Sequence, residues 1–204
     1  MDASVSLSRL KEGNARFVAG RLQQAVTPED RARLADGQKP FAIVLGCSDS
    51  RVPTEMVFDQ GPGGLFVIRV AGNVVAPSQL GSIEFAVMQF ATPLVVVLGH
   101  TRCGAINATL EQLVDGKDPP SPNIASITGR ILPVIQPLVE AAPGEKDQQA
   151  RTRLSELAVR ANIRAAVNQL GQSSPLLKER VDKGLLRVIG AEYSLASGEV
   201  AFLD

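Results

Sequence analysis

The sequence has little of several residue types, and each shortage excludes a class of protein. Its 204 residues contain no tryptophan, and 21 basic side chains balance 21 acidic ones, so the formal net charge is zero. Binding to DNA or RNA needs a basic face, which this balance does not predict. No apolar run is long enough to cross a bilayer, and residues 1–12 lack the apolar centre of a signal peptide. We therefore expect a cytoplasmic protein with neither a membrane nor a nucleic-acid partner.

Cysteine and histidine are also scarce, and their positions are the most informative feature of the chain. The two cysteines and the single histidine all lie close behind dense apolar runs. Cys47 follows the run 41–45, and His100 and Cys103 follow the run 94–98. Thiols stay reduced in the cytoplasm, so a metal site is favoured over a disulfide.

Apolar runs alternate with amphipathic stretches, which predicts strands alternating with helices. The expected strands are 40–46, 65–70, 94–99, 185–191 and an antiparallel edge strand at 199–203. The expected helices are 6–19, one opened by Thr27-Pro28 and closed by Gly37, one opened by Pro77, and 104–114, 124–141, 146–170 and 174–183. This order predicts an α/β fold with a mainly parallel central sheet of about four strands, the antiparallel edge strand, and helices on both faces.

Three further expectations concern the helices. Pro133 and Pro137 should break or kink the helix 124–141, because proline has no N–H to donate. Gly171 should end the helix 146–170. Residues 1–204 are expected to form one domain, in which residues 1–26 make an N-terminal helical arm. The sequence alone does not decide whether this arm packs on its own domain or reaches across a partner.

The three soft ligands are expected to converge. Parallel sheets bind ligands beyond the carboxyl ends of their strands, where the strand order switches direction. If strands 40–46 and 94–99 are neighbours, Cys47 and His100 meet there, and Cys103 can be aimed at the same point by the first turn of a helix. Two thiolates and one imidazole are zinc ligands, and three protein ligands with an open fourth place are typical of catalytic zinc. The plainer alternative is a pair of buried apolar cysteines beside a hydrogen-bonded histidine.

Asp49 and Arg51 lie next to the first cysteine and allow two arrangements. Asp49 could close the metal site as a fourth ligand, or it could accept a hydrogen bond from a zinc-bound water. Arg51 can clamp the Asp49 carboxylate in a two-point bridge and so hold it away from zinc. An ordinary loop salt bridge is the alternative.

The motif Cys-Ser-Asp-Ser-Arg at 47–51, followed by His-x-x-Cys-Gly at 100–104, resembles the β-class carbonic anhydrases. The resemblance extends over nearly the whole chain. Other stretches similar to the family are 10–17, 37–40, 69–73, 81–86 and 190–195. Phe85 stands where many members have a tyrosine beside the substrate pocket.

The resemblance implies a zinc enzyme that hydrates carbon dioxide reversibly to bicarbonate and a proton by means of zinc-bound hydroxide. It implies that Cys47, His100 and Cys103 hold the zinc, and that Asp49 and Arg51 are the catalytic dyad. Gln38 and Phe66 match positions that line the carbon dioxide pocket, usually at a subunit interface. Family members are dimers or assemblies of dimers in which the N-terminal helix embraces the partner.

Three alternatives remain at this point. A hydrolase for carbon disulfide or carbonyl sulfide could use the same scaffold, since those substrates share the linear shape of carbon dioxide. A closed site with Asp49 as fourth ligand would make a non-catalytic zinc module, although Arg51 argues against permanent closure. A disulfide between Cys47 and Cys103 would leave His100 unexplained.

Overall fold

Five strands form one sheet in the computed structural model, which describes residues 2–23, 26–141 and 147–203. They are β1 (Ala42–Gly46), β2 (Leu65–Arg69), β3 (Leu94–His100), β4 (Arg187–Tyr193) and β5 (Val200–Leu203). Their order is β2-β1-β3-β4-β5, with the first four parallel and β5 antiparallel to β4. The prediction of a mainly parallel sheet with one antiparallel edge strand is confirmed.

Helices cover both faces of the sheet, as predicted. They are α1 (Ala3–Val18), α2 (Pro28–Ala35), α3 (Thr54–Val57), α4 (Pro77–Phe90), α5 (Gly104–Asp115), α6 (Pro122–Glu140), α7 (Gln148–Ser173) and α8 (Pro175–Asp182). β1 and β3 are buried along their whole length, because alternate side chains enter a separate apolar core on each face. In the described part of the chain, no helix combines the length and apolar character needed to cross a membrane.

The leading helix α1 packs on its own chain. Asp2 caps its N-terminus by accepting from the backbone N–H groups of the first turn. Leu10 is fully buried in one of the two cores. The Asn14 carboxamide donates to the carbonyls of Val57 and Gly198 over 3.1 and 2.9 Å. The side of the sheet that α1 covers is therefore closed within one subunit.

One predicted helix end needs correction, and the predicted break in another helix does not occur. Gly171 does not end its helix, because α7 continues to Ser173. The chain turns only at Ser174, whose hydroxyl accepts from the Leu177 N–H over 3.1 Å and caps α8. The predicted start of α7 at residue 146 lies outside the described residues.

Pro133 and Pro137 do not break α6, which is anchored to the core on both sides of Pro133 by fully buried isoleucines at 131 and 135. The sequence analysis also missed α3 and a 3-10 turn at Ala71–Asn73.

Helix α7 approaches the sheet unusually closely at two glycines. A Cβ at Gly99 of β3 would lie 2.6 Å from the side chain of Ile163, and a Cβ at Gly190 of β4 would also lie 2.6 Å from it. Real Cβ atoms do not pack this tightly, so both strands need glycine at these points. The close approach seats the middle of α7 directly over the end of β3.

Candidate metal centre

The three predicted soft ligands meet at the carboxyl edge of the sheet. Cys47 follows β1, His100 ends β3, and Cys103 is the cap residue of α5. Their Sγ and imidazole nitrogen atoms lie within 4.8 Å of one another, and all three residues are buried. The structure therefore brings together side chains from two strand ends and one helix start.

Strand order explains this convergence. β1 has β2 on one side and β3 on the other, so the chain reverses its direction across the sheet between them. Gly46 lies beside Leu98 in the parallel register, which puts the residues after β1 next to the end of β3. Arg102 has a left-handed backbone, with a φ of 57° that is uncommon outside glycine. This turn redirects the chain between His100 and Cys103, so that both side chains reach the same point.

The imidazole of His100 is oriented for ligation. Its Nδ1 lies 3.0 Å from the Thr101 carbonyl oxygen, which can only accept, so Nδ1 carries the proton. Nε2 is fully buried and has no hydrogen-bond partner among the described residues. A buried nitrogen without a partner is costly unless something binds it. Its lone pair is available to a metal, and a backbone carbonyl that fixes the tautomer is typical of histidine ligands.

The two thiols are coupled, and their coupling favours a cation. The neighbouring Cys103 thiol lowers the pKa of Cys47 although burial opposes this shift, and the Gly72 N–H lowers it further. The pKa of Cys103 is raised, because its proton is held by the Cys47 sulfur and its thiolate would be buried beside another negative charge. Both cysteines are free thiols. A divalent cation would remove the repulsion between two thiolates, so this donor set fits zinc.

Asp49 lies at the rim of the cluster and is held by Arg51. Arg51 Nε donates to Asp49 Oδ1 over 2.9 Å, and Nη2 donates to Oδ2 over 2.7 Å. The Arg51 backbone N–H also donates to Oδ1 over 3.0 Å. The Arg51 guanidinium holds the pKa of the Asp49 carboxyl well below its usual range, despite partial burial. The carboxylate faces the cluster, with Oδ2 at 3.8 Å from His100 Nε2.

Arg69 is part of this site, and the sequence analysis gave it no role. It ends β2 beside Gly46, and its guanidinium reaches over the loop that follows β1. Nε donates to the Cys47 carbonyl over 2.9 Å, and Nη2 donates to the Asp49 carbonyl over 2.6 Å. Arg69 thereby fixes the backbone on both sides of Ser48. Its position at the end of a strand next to β1 was the available signal.

Of the two predicted pocket residues, Gln38 lies apart from the cluster within one chain, whereas Phe66 packs against the core that contains Cys47 and Cys103. Gln38 precedes β1 at its amino end, whereas Cys47 follows its carboxyl end. With a rise of about 3.3 Å per strand residue, the two lie at opposite edges of the sheet. Gln38 is exposed and lines a cavity of about 650 Å³ together with Arg9, Lys39 and the glycine-rich turn 61–64. Phe66 lies in β2 and joins an aromatic cluster with Phe85 and Phe90.

Comparison with known proteins points to one family. A family model described as carbonic anhydrase matches residues 42–200. Carbonic anhydrase 2 of Mycobacterium tuberculosis is 42% identical over 196 residues, which cover 96% of this chain and 90% of that protein. The carbonic anhydrase of Mycolicibacterium smegmatis is 41% identical over 192 residues, covering 94% of this chain and 88% of that protein.

Solved structures agree with this comparison. A β-carbonic anhydrase of Aspergillus fumigatus is 28% identical with a TM-score of 0.73, covering 98% of this chain and 90% of that one. One of two tetrameric β-carbonic anhydrases from Sordaria macrospora is 22% identical with a TM-score of 0.76, covering 98% of this chain and 97% of that one. The second similarity shows a shared fold alone.

Proposed function

Because the chain belongs to the β-carbonic anhydrase family, we propose that it hydrates carbon dioxide reversibly to bicarbonate and a proton, with zinc as its cofactor. One observation carries the proposal. A buried set of two thiols and one imidazole nitrogen, which has no hydrogen-bond partner in the described part of the chain, lies beside an aspartate that an arginine clamps at two points.

Cys47, His100 and Cys103 would hold the zinc. When bound there, zinc supplies the Lewis acidity that makes a water molecule nucleophilic near neutral pH. Three protein ligands leave a fourth place for chemistry, whereas structural sites are closed by four. Tertiary contacts from Arg69 and the local fold around Arg102 fix the backbone that carries these ligands.

Asp49 acts as a fixed acceptor beside the reacting water. Its depressed pKa keeps it ionised at neutral pH, so it can accept a hydrogen bond but has no proton to give. Arg51 donates to both carboxylate oxygens and would hold Asp49 away from a metal bound by the three ligands. This pairing supports an open catalytic site over the closed, non-catalytic zinc module. We assign Asp49 and Arg51 as the catalytic dyad.

The proton released by hydration must leave without a histidine relay. The chain has one histidine, and it is a proposed ligand. Proton export therefore goes through water, buffer or an unassigned acidic group, and we expect turnover to rise with buffer concentration when buffer is scarce.

Carbon dioxide would be held by Gln38 and Phe66. Gln38 lies at the amino-terminal edge of its own sheet, opposite the edge that holds Cys47. In this proposal it therefore completes the site of a partner subunit. A homodimer, or a dimer of dimers, is therefore part of the function. Two features support it: no other described strand pairs with the outer side of β2, and Phe85 in the neighbouring aromatic cluster is 56% exposed. A cytoplasmic location would keep both thiols reduced.

The proposal is tested on the purified protein by measuring zinc content and carbon dioxide hydration together. We expect about one zinc per chain. We also expect hydration, followed by stopped-flow with a pH indicator, to disappear on removal of zinc and return on its addition. A protein that binds no zinc, or a zinc-loaded protein that does not hydrate carbon dioxide, would contradict the proposal.

A further inference from the structure

The turn that follows β2 donates a hydrogen bond to one of the proposed zinc ligands. The Gly72 N–H lies 3.4 Å from Cys47 Sγ, which is within range for a bond to sulfur. Gly72 and Asn73 are both left-handed, with φ values of 68° and 45°. A Cβ at Gly72 would lie 2.9 Å from Ile131 and 3.0 Å from Ala105. The turn therefore has a rare backbone shape that something must maintain.

Asn162 of α7 supplies that restraint from the far side of the turn. Its carboxamide Nδ2 donates to the Gly72 carbonyl oxygen over 2.8 Å, and the residue is 5% exposed. The Gly72 N–H and the Gly72 carbonyl flank the same α-carbon. Fixing the carbonyl therefore restrains the direction in which the N–H points.

The position of Asn162 depends on the close approach of α7 to the sheet. Its neighbour Ile163 sits against Gly99 and Gly190, where a side chain on either strand would push the helix outwards. Gly99 directly precedes the ligand His100. One short segment of α7 thus contacts the backbone beside His100 and the backbone that faces Cys47.

We propose that Asn162 is a positioning residue of the zinc centre, which acts through Gly72 to direct an N–H group at the Cys47 sulfur. This inference rests on the proposed function, since it assumes that Cys47 holds zinc. An N–H donor stabilises thiolate charge and fixes the direction of the sulfur lone pairs. The expected consequence is tighter zinc binding and a less electron-rich sulfur.

The plainer explanation is that Asn162 only satisfies a buried carbonyl. Both explanations predict some loss of stability in a variant, so stability does not separate them. The two explanations differ in their expected effect on the metal–sulfur bond. If the role of Asn162 is purely structural, this bond stays unchanged in the folded variant. Loss of partners outside the ligand set typically weakens metal binding about 10–100-fold.

The test compares Asn162→Leu with a matched control, Asn14→Leu. Asn14 is also a buried asparagine whose carboxamide donates to backbone carbonyls, but it lies in α1 on the opposite face of the sheet. Zinc affinity is measured by competition with a chromophoric chelator. The sulfur is observed through the thiolate-to-metal charge-transfer band of the cobalt(II)-substituted protein.

We expect Asn162→Leu to weaken zinc binding at least about tenfold and to move the charge-transfer band to longer wavelength. In Asn14→Leu, zinc affinity should stay within about twofold of wild type and the charge-transfer band should stay within a few nanometres of the wild-type wavelength. This should hold even if Asn14→Leu is less stable than wild type. If the zinc-free Asn162→Leu chain does not fold, it is refolded with zinc, and the rate of zinc transfer to excess chelator replaces the affinity.

Each outcome decides between the possibilities. Wild-type affinity and an unshifted band in Asn162→Leu overturn the inference, as does an equal change in both variants. Absence of zinc binding by the wild-type chain would instead refute the proposed function, so the two failures are distinguishable.

Discussion

The two ends of β1 differ in how much of a site they hold within one chain. At the carboxyl end, Cys47 is buried with the two other proposed ligands, and Arg69 and Gly72 of the same chain donate to its carbonyl and its sulfur. At the amino end, Gln38 is exposed on the wall of an open cavity. In our proposal, metal binding is therefore a property of the single chain, whereas substrate binding is a property of the assembly.

At the carboxyl end of β1, removal of a proposed zinc ligand should have the largest effect. Cys103→Ser should lower zinc affinity by several orders of magnitude, because a neutral hydroxyl is a far weaker zinc ligand than a thiolate. Zinc content by mass spectrometry checks this. Gln38→Ala is the control and should keep a full complement of zinc. Full zinc occupancy in Cys103→Ser would refute the ligand assignment.

Removing Arg51 should affect chemistry while leaving the metal in place. In Arg51→Ala, Asp49 loses its two-point partner and becomes free to bind the metal, so we expect hydration to fall about 10²–10⁴-fold with zinc retained. Arg51→Lys keeps the charge without the planar fork and should be intermediate. Wild-type turnover in a zinc-loaded Arg51→Ala protein would show that the dyad assignment is wrong.

The amino end can be tested by mixing subunits. Gln38→Ala and Asp49→Ala should each lower hydration, the first about tenfold if it removes one substrate contact. If Gln38 serves the partner's site, a mixed dimer has one intact site. Refolding the two variants together should then restore about a quarter of wild-type activity, since about half the dimers are mixed. No recovery above the separate variants would place Gln38 in its own subunit's site or outside both.

The smallest effect concerns the pH dependence of stability. The folded pKa of Asp49 is depressed, mainly by Arg51, so its carboxylate stabilises the fold above the ordinary pKa of about 3.9. That contribution is lost as pH falls towards the folded pKa. In zinc-free protein, urea unfolding should show wild type slightly more stable than Asp49→Asn at pH 7. The gap should narrow below about pH 4 and shrink with salt, because the Arg51 side chain is 54% exposed. A gap that widened on acidification would contradict this sign.

The sequence alone was enough to predict the side chains of the site that lie at the ends of strands. Cys47 and His100 could be placed together because buried parallel strands and their ligand edge are readable from apolar runs. Gly72 and Asn162 could not be found in this way, because their roles depend on contacts between segments distant in sequence. Gly171 was misleading because α7 continues to Ser173 and the chain turns only at Ser174, which caps α8.

The spacing of the three ligands also bears on how the chain folds. His100 and Cys103 are near neighbours in sequence, but Cys47 is separated from them by β2, α4 and most of β3. An unfolded chain can offer zinc only the nearby pair at low entropic cost. The third ligand arrives when β1 and β3 pair, so bound zinc closes a loop that contains half of the parallel sheet. Like a disulfide across that loop, the metal would restrict the unfolded ensemble, and a chelator should accelerate unfolding more than it slows the first steps of folding.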